Sequence, residues 1–196
     1  MLERSLAPLA LLLVACGLFS CATTSEQSSS QPAAKHPSWN EKEVVQAAND
    51  FFGNGAEGIG NAIAKAFKDY GPPTAIIRGE EGGGAAAVGV RYGKGEFSWK
   101  GGAPTTVYWQ GPTLGFDVGG NAAKTFILVY NLPNQEALFQ RYPGVEGSAS
   151  FVGGVGLNYN RSGGTVLAPV RLGVGWRLGA SLGYIHFTKE KSLIPF

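Results

Sequence analysis

Cysteine is confined to positions 16 and 21, near the start of this 196-residue sequence, so disulfides, zinc–thiolate sites and cysteine nucleophiles are excluded from everything downstream. Histidine is almost as scarce. His36 and His186 are the two present, and no His/His/carboxylate set for a metal or a hydrolytic centre can be assembled from them. Charge is sparse as well, with 16 Lys and Arg against 14 Asp and Glu, a net of +2. No Lys/Arg run of the kind that tracks a phosphate backbone occurs, which argues against nucleic acid as a partner. What the chain has in excess is glycine, 30 residues, about twice the ~7% share of an average protein.

The only long apolar run is in the leader. Arg4 precedes a nearly unbroken apolar stretch from Leu6 to Leu18, a pattern of secretion signals and too short for a spanning helix of roughly 20 residues. Small residues then lead to a cysteine twice: Leu13-Val14-Ala15-Cys16 and Leu18-Phe19-Ser20-Cys21 both resemble a bacterial lipobox. Cys21 is the expected lipidation point, with Cys16 the alternative, because processing at Cys21 leaves no spare thiol in an oxidising compartment. The expected organisation is a lipoprotein signal peptide over 1–20, a flexible Ser- and Gln-rich tether over 21–37 and one domain over 38–196. Ala22 stands where an aspartate would resemble an inner-membrane retention signal, so the expected location is the outer membrane, facing the periplasm.

The domain opens with helical periodicity. Ser38-Trp39-Asn40-Glu41 reads as a capping box, and Val44, Val45, Ala48, Phe51 and Phe52 mark the apolar stripe of a first helix from about Asn40 to Phe52. Ile59, Ala62, Ile63, Ala66, Phe67 and Tyr70 mark a second, stopped by Gly71-Pro72. Between them, Gly53 to Gly58 fits G-x-G-x-x-G, but a dinucleotide fingerprint needs a strand before it and here a helix precedes.

From Thr74 onward, short β-branched and aromatic runs alternate with glycine. The expected strands are 74–79, 86–92, 96–99, 106–110, 113–118, 124–130, 148–158, 165–175 and 178–187, with turns at 92–95, 111–112, 119–121 and 160–164 and a short helix near 133–140. Evenly spaced glycines at 154 and 156, 173 and 175, and 179 and 183 project to one face and allow tight coiling. The fold class expected is mainly β with N-terminal helices (α+β): a small, closed, mostly antiparallel β-barrel preceded by two helices, with a short helix inserted late. A lipid-spanning barrel is disfavoured by strands that mostly fall short of roughly 9–11 residues.

Several ordered motifs resemble the bacterial envelope integrity protein A (EipA) family, a domain of unknown function in periplasmic proteins. They include Asp50-Phe51-Phe52-Gly53, Ile77-Arg78-Gly79-Glu80-Glu81, Val107-Tyr108-Trp109-Gln110-Gly111-Pro112, Gly115-Phe116-Asp117-Val118-Gly119-Gly120-Asn121 and Gly183-Tyr184-Ile185-His186-Phe187-Thr188. The similarity spans roughly Glu43 to Phe196. It implies a small soluble barrel, a role in resisting envelope stress and a looser kinship with SYLF-type lipid-interacting domains.

No catalytic residue, metal site or cofactor is expected. The leading expectation is a non-enzymatic envelope lipoprotein that supports envelope integrity by binding a lipid or an envelope partner, held to the membrane by its N-terminal lipid. Trp99, Tyr108, Trp109, Asp117 and Trp176 are the candidate ligand or partner surface, being aromatics suited to an apolar cleft and a carboxylate beside a turn. The alternative is an envelope hydrolase pairing Glu80 or Glu81 with Asp117, which requires two carboxylates in one cleft roughly 5–9.5 Å apart. Adjacent residues on a strand face opposite ways, so Glu80 and Glu81 are not themselves a pair, and a structural ion pair, with Arg78 or Arg91 in reach, or a hydrogen-bonded turn is the expected fate of one of them.

Overall fold

The computed structural model describes residues 36–53, 57–85, 88–114, 123–172 and 183–192. Cys16, Cys21, Asp117 and Trp176 lie outside these residues. Among the described residues two helices, α1 (Glu41–Phe52) and α2 (Glu57–Tyr70), precede ten strands: β1 (Ala75–Ala85), β2 (Val88–Trp99), β3 (Thr105–Leu114), β4 (Ala123–Tyr130), β5 (Arg141–Pro143), β6 (Ser150–Val152), β7 (Val155–Leu157), β8 (Asn160–Ser162), β9 (Thr165–Leu172) and β10 (Tyr184–Thr188).

The cap of α1 sits two residues later than the sequence pattern suggests. Asn40, extended at φ −84°, accepts the Glu43 amide, and the Glu43 carboxylate accepts the Asn40 amide, both at 2.9 Å. Trp39 is drawn out of the helix because its amide donates to the Pro73 carbonyl at 2.9 Å. The Gly71 stop holds, with φ +74° beyond Tyr70.

All strand pairs among the described residues are antiparallel, and the sheet runs β5-β10-β3-β2-β1-β4-β9-β7-β6, with β8 also on β9. It is strongly curled and barrel-like. A single antiparallel bridge between Gly144 and Asn160 brings the chain after β5 beside β8, and Val145 donates its amide to the Tyr159 carbonyl at 2.9 Å.

Two expected turns are absent. Tyr92-Gly93-Lys94-Gly95 and Gly111-Pro112 run straight through β2 and β3, so these strands reach 12 and 10 residues. Their glycines serve as spacers. Gly79 and Gly93 form the floor under the Trp109 indole, where a Cβ on Gly93 would overlap the ring and one on Gly79 would lie 2.6 Å from it. In place of one strand over 148–158, β6 and β7 form a hairpin on Gly153 and Gly154, both at positive φ (56° and 80°), as a tight two-residue loop requires. Gly154 therefore turns the chain and does not line a strand. The expected late helix is a 3₁₀ turn over Glu136–Leu138, and Asn160 to Ser162 is strand, leaving Gly163-Gly164 as the turn.

With β1, β2 and β3 at 10 to 12 residues, strand length no longer speaks against a lipid-spanning barrel. Surface chemistry does. The outer face of these strands pairs Arg78 with Glu96 and Glu80 with Lys94, whereas a lipid-facing band is apolar. The outer face of β4, β9 and β7 is covered by the helices instead. There Ile59, Ile63 and Ala66 of α2 and Val44 and Ala48 of α1 pack on Phe126, Leu128, Val166 and Val170. The alternate residues of the same strands enter a second core on the inner face, with Ile77, Phe97, Val107, Trp109, Ile127 and Val129 joined by Tyr142, Ile185 and Phe187. Both faces of β4 are thus buried, which explains its unbroken apolar run Phe126–Tyr130.

Candidate functional site

β1 sends Arg78 and Glu80 outward and Ile77, Gly79 and Glu81 inward, so the two adjacent glutamates occupy opposite faces, as strand pleating requires. Glu80 is exposed and flanked across the sheet by Lys94 and Lys124. Glu81 is buried, and its partner is Arg171 of β9, 90 residues away. Arg171 donates from Nε to Oε2 at 2.8 Å and from a terminal nitrogen to Oε1 at 2.9 Å, while the Trp109 indole N–H donates to Oε1 at 2.8 Å. The remaining Arg171 nitrogen donates to Asn158 Oδ1 at 2.8 Å. Asn158 donates to Asn160 Oδ1 at 2.9 Å, and Asn160 to the Tyr142 carbonyl at 3.0 Å. One polar chain therefore links β1, β3, β9, β8 and β5 across the curled sheet.

Burial alone would raise the Glu81 carboxyl pKa. The charges of Arg171 and Arg91 and the hydrogen bonds from Arg171 and Trp109 outweigh it and hold the group at about 2. A carboxylate ionised at every ordinary pH has no proton to deliver and so is unsuited to general-acid work. Arg91 of β2 stands on the same inner face. Burial pushes its guanidinium pKa down to about 10, with Arg171 adding to the shift and Glu81 opposing it, so it stays charged at neutral pH.

Of the expected ligand surface, the three described residues do not share one face. Trp109 is 1% exposed and belongs to the inner core. Trp99 shares that face and stacks on His36 with centroids 3.6 Å apart, so His36, read as tether, rests on the domain. Tyr108 points the other way, to the outer face, where Lys94 approaches its ring at 6.0 Å. Asp117 and Trp176 are outside the described residues, as is the partner the hydrolase alternative would need. Tyr108 does line a cleft of about 380 Å³ on the outer face, with Glu80, Tyr92, Lys94 and Thr188. A neighbouring cleft of about 620 Å³ runs beneath the end of α1, lined by Asp50, Phe51, Arg78 and Glu96. His186 is half-buried on β10, with its pKa lowered first by burial and then by Arg141. Among the described residues no group of His, Cys, Asp and Glu could hold a metal ion.

Sequence reasoning anticipated an ion pair for one of the two glutamates but missed Arg171, Asn158 and Asn160. Nothing local marks them: Arg171 follows an apolar run as a strand end does. The signal that could have found them is parity. Arg171 lies two residues from Pro169 and four from Leu167, on the inward side of β9, where a cation demands a counter-charge.

A curled antiparallel sheet, backed by two helices and packed on its inner face, is a β-barrel-like domain. The chain belongs to the envelope integrity protein A family, whose model matches residues 37–196. It is also similar to a crystal structure described as a beta-barrel-like, uncharacterized protein from Brucella abortus, at 41% identity and a TM-score of 0.74, over 81% of this chain and 99% of that one. No curated protein matches the chain.

Proposed function

We propose that this protein is a non-enzymatic lipoprotein, anchored through acylated Cys21 in the outer membrane and facing the periplasm, which supports envelope integrity by engaging an envelope partner. Family membership supplies the envelope role. The observation that carries the rest is the state of the inner face: Trp109, Phe97 and Phe187 fill it, and its one carboxylate on β1 is locked to Arg171. Those packed aromatic side chains are our reason for favouring a protein partner over an enclosed lipid. We take the outer face around Tyr108 as the contact surface, since helices do not cover it and it combines an aromatic ring with both signs of charge. The Gly144–Asn160 bridge is our reason for treating the curled sheet as a closed barrel.

The test is complementation in a strain lacking the protein, scored by survival under detergent stress. Cys21→Ser should fail and Cys16→Ser should succeed; the reverse pattern moves the anchor to Cys16. Tyr108→Ala should leave the protein folded, weaken protection and abolish an in-cell crosslink made through position 108. Glu80→Gln and Asp117→Asn should complement fully. A folded variant of either that gives no protection would revive the hydrolase.

A further inference from the structure

On the inner face, Arg91 feels Glu81 only as a nearby charge and has no hydrogen-bonded partner among the described residues. It is 8% exposed, its Nε is buried without a hydrogen bond, and among the described residues no ion pair is made to it. Glu81 takes its three hydrogen bonds from Arg171 and the Trp109 indole and makes none with Arg91. The charge count over these three groups is therefore two cations against one anion.

The neighbours of Arg91 within the sheet are all glycines. Its cross-strand neighbours on that face are Gly83 of β1 and Gly111 of β3, and the same-face positions before and after it on β2 are Gly89 and Gly93. Four positions that would ordinarily carry side chains over a strand residue carry none. A guanidinium offers five N–H donors in a planar fork and no acceptor, so what it lacks is an anion with two suitably spaced oxygens. Proteins rarely leave a buried charge unpaired, and the excess of one positive charge fits a monoanion.

We propose that Arg91 is the binding residue of an internal site for a phosphate-type oxyanion, with the adjacent Arg171–Glu81 pair as its fixed wall. The shared chemistry is a phosphoryl group of single negative charge, available either as free inorganic phosphate or as the phosphodiester of an anionic phospholipid. The contact surface of the envelope-partner reading, around Tyr108, lies on the opposite face of the sheet, so the two are tested separately.

Isothermal titration of the full chain in non-ionic detergent separates the two sources. The probes are inorganic phosphate, dihexanoyl phosphatidylglycerol and, as a zwitterionic control, dihexanoyl phosphatidylcholine. Phosphate binding at one per chain, weakened about tenfold or more in Arg91→Gln, assigns a free oxyanion site, a loss expected for a charge-assisted fork. Binding of phosphatidylglycerol without phosphate, with the same dependence on Arg91, assigns a headgroup site. Failure of both probes to bind, or equal binding by Arg91→Gln, overturns the proposal. Should Arg91→Gln not fold, Arg91→Lys keeps the charge and removes the fork: binding weakened about tenfold supports the site, and unchanged binding overturns it.

Discussion

Strands β4 and β9 bury residues on both faces, and the two faces are stabilised differently. Toward the helices they present Phe126, Leu128, Val166 and Val170, an apolar layer in which each side chain removed from water contributes roughly 1.5–3 kcal/mol. Toward the inside, β9 also presents Arg171, whose burial is tolerable only while Glu81, Trp109 and Asn158 all remain in place. The helix side should therefore yield gradually to substitution, and the inner side all at once. Removing one partner of a buried pair costs more than the pair itself contributes.

The sharpest way to break this contrast is Glu81→Ala, which leaves Arg171 and Arg91 facing each other without a counter-ion; a loss of about 3–5 kcal/mol is expected in urea unfolding. A cost below ~1 kcal/mol would make the inner face no different from the outer. Protons should do the same more gently. The native Glu81 pKa lies below its ordinary 4.5, so its contribution is complete above pH 4.5 and drains away as pH falls toward 2, by a few kcal/mol in all. Near-ultraviolet circular dichroism of the Trp109 band should follow that loss, and a signal flat from pH 5 to 2 would contradict the assignment. Next, Gly93→Ala drives a methyl group into the Trp109 indole and should cost about 1–3 kcal/mol, with a shifted tryptophan emission. Smallest is Ile63→Val on α2, about 0.5–1.5 kcal/mol by thermal melting with no change in tryptophan emission.

What could be read from the letters followed the range of the interactions. α1, α2, the Gly71 stop and β4 rest on neighbours within a few residues, and they fall where periodicity places them apart from the cap, which the Trp39–Pro73 bond shifts to Asn40. The number and length of the strands were misjudged because glycine has two uses that look alike in one dimension. Gly153 and Gly154 turn the chain, whereas Gly93, Gly95 and Gly111 let another group approach the backbone, and only the position of Trp109 and Tyr184 tells the two apart. The opposite orientation of Glu80 and Glu81 was legible from strand parity. The identity of the Glu81 partner was not, because a pairing across 90 residues depends on sheet order.

Where the chain enters the domain, three contacts gather at one end of β1 and β2: the His36 ring on Trp99, the Trp39 amide on Pro73 and the Glu43 carboxylate on Lys100 at 2.7 Å. Along β1, Ala75 at that end is six residues from Glu81, roughly 20 Å at the usual rise per strand residue. A mechanical load applied at residue 36 would thus be borne by a stacked ring and two polar contacts at the rim, and the ionic layer would stay unstrained.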